Sequence, residues 1–168
     1  MSSVLPGSLT DLLLWGLLAT VAMTTVLQGA QGAGLSRLSL PFLAGTFLTG
    51  ERRRAMVLGF VLYVVGGWLF AFLYFLLFAS LGTSSWWLGA AAGALHGLVL
   101  LVAILPVLPF LHPRMASEYD GPMHLRQIEP PGFMGLNYGR RTPLTTLLGQ
   151  VVYGAILGGS AQIQAAIG

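Results

Sequence analysis

The sequence predicts an all-α integral membrane protein: a four-helix bundle with a long ordered cytoplasmic loop between helices 3 and 4. Three observations predict it. The 168 residues are 55% hydrophobic and only 8% charged, with a mean hydropathy of +0.80, whereas a soluble domain carries roughly 25% charged residues. Four apolar segments have the ~20 residues a helix needs to cross a ~30 Å hydrocarbon core. Small residues recur at helical spacing in each segment, which in lipid lets helices pack at close range. Runs of this length do not fit β-barrel strands, which alternate over about 10 residues.

The first span is expected at about 12–30, the second at 55–81, the third at 86–105 and the fourth at 143–167, within a single membrane domain over 1–168. The first 11 residues lack a basic region, so the first run is expected to remain as a span and not to be cleaved as a signal. The second is long enough to tilt or protrude. The third ends before Pro106. The fourth starts at Thr142-Pro143, where threonine can cap the free amides and proline suits the first helical turn. No internal repeat of the kind found in inverted-repeat transporters is evident.

Charge sets the orientation. All basic residues are arginine, and the formal net charge is +3. Arg37, Arg52, Arg53 and Arg54 fall in the loop from Gln31 to Arg54. Arg114, Arg126, Arg140 and Arg141 fall in the loop from about Pro106 to Thr142. The connector at Ser80 to Ser85 and both termini have none. Positive charge stays on the cytoplasmic side, so both long loops are expected there and both termini outside. Trp15, Trp86 and Trp87 at the outer helix ends agree, because indole rings favour the interface.

The absence of cysteine excludes disulfides, thiolate metal sites and a cysteine nucleophile. The arginines form no aromatic-interleaved basic surface, so nucleic acid is not an expected partner. No nucleophile motif, phosphate loop or paired carboxylate supports catalysis.

Within the spans, the most informative feature is a ladder, Gly89, Gly93 and Gly97, with His96 beside it. Four-residue spacing puts the glycines on one stripe. Gly154 with Gly158 and Ala155 with Gly159 make similar pairs in the fourth span. Gly16, Thr20 and Thr24 do so in the first, and Gly67 and Ala71 in the second. The stripes serve internal packing, or one faces outward to dock a partner, for which the ladder is the first candidate. Gly93→Leu is accordingly expected to do more damage than Leu101→Ala, with Leu101 taken as lipid-facing or loosely packed.

His96 is the one ionisable side chain deep within an apolar segment. At ~1.5 Å per residue it lies ~15 Å from the outer face, level with Trp68 and Tyr153. The three form a candidate midplane polar cluster, because buried polar groups in lipid need partners. A structural role as a neutral hydrogen-bonding group is expected; the alternatives are axial ligation of a tetrapyrrole and a proton or substrate role. Thr20, Thr24, Thr25, Gln28 and Gln150 either line a polar path or bond to their own helix or to a neighbour.

In the first loop, Leu40 to Leu48 is too short to cross and is expected to be interfacial or partly re-entrant. Arg52, Arg53, Arg54, Arg140 and Arg141 are the expected contacts for anionic lipid headgroups. In the second loop, His112, Glu118, Asp120, His124 and Glu129 match no metal-ligand spacing, so no metal is expected; its aromatics, methionines and prolines suit an ordered cap.

Arg37-Leu38-Ser39-Leu40-Pro41-Phe42, the ladder with His96, His112-Pro113-Arg114-Met115 and Asn137-Tyr138-Gly139-Arg140-Arg141-Thr142-Pro143 together resemble a group of bacterial four-span membrane proteins with no assigned activity. The resemblance covers most of the chain. It implies a bacterial inner-membrane location and no site. The expected role is a small non-catalytic accessory or structural subunit of a larger membrane complex, such as a respiratory or photosynthetic one. It would pack against other membrane subunits or a second copy of itself. The alternatives are an oligomeric channel or carrier for a small neutral or lipidic solute, and a tetrapyrrole-binding protein using His96.

Overall fold

Helix α1 (Leu9–Gly32) ends because glycine permits it to. Gly34 takes a left-handed φ of 70°. Leu35 N–H then reaches Ala30 O at 2.9 Å and Gly34 N–H reaches Gln31 O at 3.0 Å, the paired bonds that close a helix end. Helix α2 (Leu40–Thr46) begins at Ser39, whose hydroxyl accepts from Phe42 N–H. Helix α3 (Arg52–Leu81) follows. Helix α4 (Trp86–Val99) starts where Ser85 Oγ accepts from Leu88 N–H at 3.3 Å. A π turn (Leu100–Ile104), helix α5 (Leu105–Leu111), a 3-10 segment (Phe133–Tyr138) and helix α6 (Thr142–Ile167) complete the chain.

The structure is a computed structural model that describes residues 9–116 and 128–167. Among these it is all-helical, apart from one isolated parallel bridge between Met115 and Ile128. Four helical stretches are long and apolar enough to cross a membrane: Leu9–Gly32, Arg52–Leu81, Trp86–Leu111 and Thr142–Ile163.

The third span differs from expectation. It does not stop before Pro106. Proline has no N–H and its ring displaces the carbonyl four residues back. The π turn absorbs this: Leu105 N–H bonds to Leu100 O, five residues back, and the helical path continues to Leu111. The following loop therefore starts at His112. Leu101, on that turn, is fully buried, so the expectation that its truncation is tolerated is corrected. Removing a buried leucine side chain costs about 2–5 kcal/mol. Glu118, Asp120, His124 and Arg126 lie outside the described residues.

The chain divides into two compact units. One contains Met1–Val26, Val64–Gly97 and Leu147–Gly168; the other contains Leu27–Tyr63 and Leu98–Thr146. In the first, α4 and α6 meet at backbone contact. A methyl group at Gly89 would overlap the Gly154 carbonyl oxygen and lie 3.0 Å from Gly158 Cα; one at Gly93 would overlap the Gln150 carbonyl oxygen. On the other side Gly67 of α3 faces the Thr20 hydroxyl of α1, and Gly16 faces Trp68 and Ala71. Phe75, Phe78, Tyr153 and Leu157 fill the interior.

In the second unit α2 lies against the first turns of α3. Gly45 faces the Ala55 carbonyl and Gly59 faces the Pro41 carbonyl, each without room for a methyl group. The segment after α1 is tied to the 3-10 segment by Arg37 N–H to Tyr138 O at 2.7 Å. Thr142, marked by the sequence as a cap, instead pairs its hydroxyl with Ser36 Oγ at 2.9 Å and is fully buried.

Candidate functional site

The second unit contains a cavity of about 590 Å³. Its lining comes from the segment after α1 (Arg37, Ser39), from α2 and the turn that follows (Phe42, Leu43, Thr46, Gly50), and from Arg114, Ile128, Glu129 and Tyr138. The Met115–Ile128 bridge makes the last group possible. Ala116 N–H bonds to Ile128 O at 3.0 Å and Ile128 N–H to Arg114 O at 3.1 Å, so Arg114 and Glu129 share one wall.

His112 organises that wall. It is 2% exposed. Its Nδ1 faces the Arg114 backbone N–H at 3.1 Å and so must carry a lone pair. Its Nε2 lies 3.0 Å from Thr46 Oγ1 and 3.3 Å from Leu43 O. The Thr46 hydroxyl itself donates to Leu43 O, so Nε2–H is the donor toward both. The neutral imidazole satisfies every partner. A second proton would sit on Nδ1 against an N–H. Burial lowers the His112 pKa, and the Arg114 charge lowers it further, against the raising effect of the Leu43 carbonyl.

Stability then depends on pH with a definite sign. The unfolded imidazole takes a proton near 6.5, while the folded one resists until a lower pH. The contribution is complete above 6.5 and is lost as pH falls through the folded value. The thermal midpoint of purified protein is expected to hold at pH 7.5 and fall toward pH 5. His112→Gln should be less stable at pH 7.5 by about 1–3 kcal/mol, through unmade buried hydrogen bonds, with a flatter pH response. A wild-type midpoint unchanged from pH 7.5 to 5 contradicts this.

Elsewhere in the lining, Arg37 donates to Asn137 O at 2.6 Å and pairs with Glu129 at 3.3 Å. Tyr138 donates its hydroxyl to Glu129 O at 2.5 Å. Burial, then the Glu129 charge, pushes the Tyr138 pKa up to about 12, so its hydroxyl keeps its proton.

The expected headgroup arginines are all exposed. Arg54 pairs with Glu51 at 2.7 Å. Arg52, Arg53 and Arg54 occupy the first turn of α3, the positive end of its dipole. This placement opposes local electrostatics and suits an anionic surface.

The midplane cluster is rearranged. Trp68 donates its indole N–H to Leu13 O at 2.9 Å and does not join the other two. His96 Nδ1 lies 3.4 Å from the Tyr74 hydroxyl, and its ring lies 4.2 Å from Phe70. The Tyr74 ring meets Tyr153 edge-on at 5.6 Å, and Tyr153 donates to Gly67 O at 2.5 Å. Tyr74 is thus the missing link between His96 and Tyr153. Its place on the Gly67-Ala71-Tyr74 stripe was the available signal. Thr20, Thr24 and Thr25 each donate to the carbonyl four residues back, so these hydroxyls are occupied by their own helix. The buried Thr146 Oγ1 and Gln150 Oε1 have no partner among the described residues.

The ladder is not an outward face. Gly89 and Gly93 are covered by α6 backbone, with Gly154 and Gly158 on the opposing side, and Gly97 by Leu147 and Gln150 side chains. Among the described residues no three His, Cys, Asp or Glu side chains group as metal ligands. Comparison with protein-family models, curated proteins and solved structures finds no match to this chain.

Proposed function

We propose that this protein is a non-catalytic accessory or structural subunit that packs beside larger membrane proteins in a bacterial inner membrane. Both long loops face the cytoplasm and both termini lie outside, which the arginine asymmetry supports. One observation carries the subunit reading. Helix α1 presents Thr25, Gln28, Gly29 and Gly32 on its exposed surface, and a methyl group at Gly29 or Gly32 would meet nothing within 4 Å. Lipid gives such a face little to pack against, whereas a partner helix gives close contact and hydrogen bonds. The stripes at Gly89, Gly93 and Gly97, at Gly154 and Gly158, and at Gly16 and Gly67 are instead covered inside the chain, and Ala155 and Gly159 are half-buried.

Gly29→Leu separates folding from assembly. The purified variant should be as stable as wild type or more so, because leucine favours helix over glycine by up to ~1 kcal/mol and meets no obstruction. Proteins that co-purify with wild type after gentle solubilisation should be recovered at a several-fold lower level. Unchanged recovery of the same partners would remove α1 as the docking face.

A further inference from the structure

The cavity in the arginine-bearing unit has the size of a small-ligand site, and its charges are unequal. Arg37 and Arg114 face one carboxylate, Glu129, for a formal sum of +1. Arg37 is already engaged by Glu129 and by Asn137 O. Arg114 supplies the free charge, and it is held in place before any ligand arrives. Its backbone N–H is fixed by His112, and its Nη1 donates to Thr46 O at 2.7 Å and Phe47 O at 3.0 Å. These bonds leave the Nε–Nη2 edge without a partner among the described residues. The bare backbone of Gly50 borders that edge: a Cβ there would sit 3.4 Å from Nε. A guanidinium edge of this kind grips two oxygens of one phosphate. Immobilisation at folding reduces the entropy lost on binding.

The rest of the lining points to an amphiphile. Phe42, Leu43 and Ile128 add apolar surface beside the charges. The lining segments adjoin the ends of α1, α3, α5 and α6, where spanning helices meet headgroups. We infer that this cavity binds a phosphodiester monoanion through Arg114, supplied by the headgroup of a glycerophospholipid. The inference stands whether or not the chain has partner subunits.

The full chain, purified in a maltoside detergent, is titrated with dioleoylphosphatidylglycerol, with glycerophosphoglycerol lacking acyl chains, and with uncharged dioleoylglycerol, following the thermal midpoint. The phospholipid should raise the midpoint saturably, and dioleoylglycerol should not. Arg114→Gln should weaken the apparent affinity about tenfold or more. Glu129→Gln raises the local charge from +1 to +2 and should tighten binding several-fold, a gain that misfolding cannot produce; it decides the matter if Arg114→Gln does not fold. Equal stabilisation by dioleoylglycerol, unaltered affinity in Arg114→Gln, or no gain in Glu129→Gln would each overturn the site. An equal, Arg114-dependent shift with the chain-free ester would keep the phosphodiester chemistry and overturn the lipid source.

Discussion

Gly59→Ala is expected to collapse the packing of α2 on α3, although alanine is the better helix former. In an isolated helix the change would add up to ~1 kcal/mol of stability. Here the new methyl group overlaps the Pro41 carbonyl oxygen and lies 2.7 Å from its carbon and 2.8 Å from Gly45 N. These are backbone atoms, so no rotamer change relieves the contact. Helix α2 has only seven residues and is pinned at Thr46 by His112. Pushing it away also pulls on the wall that holds Arg114. Overpacking costs about 1–3 kcal/mol where side chains can yield; a backbone obstruction should exceed that range. Gly66→Ala, on the same helix with nothing within 4 Å, should be neutral or stabilising. Thermal midpoints of the two variants in one detergent are the check. Similar values for both would refute the close α2–α3 approach.

Gly93→Leu should be equally damaging to the other unit. Even a methyl group at Gly93 overlaps the Gln150 carbonyl oxygen and sits 3.1 Å from Val151 Cα. Leucine would drive α4 from α6 along the ladder. The cost should again exceed ~3 kcal/mol. Leu95→Ala, at a side chain 64% exposed, is the tolerant comparison. Recovery of monodisperse protein and the thermal midpoint should both fall for Gly93→Leu and stay near wild type for Leu95→Ala. A Gly93→Leu protein as stable as Leu95→Ala would contradict the packing.

Much of the helical framework was legible because apolar length is a local property. Leu12 to Ala30 and Ala55 to Leu81 are plain runs, and the structure extends each by only a few residues. The ladder was legible as a stripe, because four-residue spacing aligns side chains whatever surrounds them. Its direction was not. Whether Gly89 meets lipid, a partner or Gly154 depends on how α4 is rotated against a segment some 60 residues away. Trp68 shows the same limit: depth placed it level with His96, but rotation about α3 turned its indole toward Leu13.

The binding cavity was hidden for a different reason. Arg37, Arg114 and Glu129 are scattered over nearly 100 positions, and no spacing rule links them. Arg114 reads as one loop arginine among several until the Met115–Ile128 bridge and His112 fix its backbone and the Thr46 and Phe47 carbonyls hold its guanidinium.

The sequence by itself determined the class of protein: hydropathy is a sum over residues, and it needs no partner to be read. Only the tertiary structure decided which glycines are covered, which histidine is a hinge of hydrogen bonds and which arginine keeps a free edge. Those properties belong to pairs of distant segments, and close packing fixes them only when the segments meet.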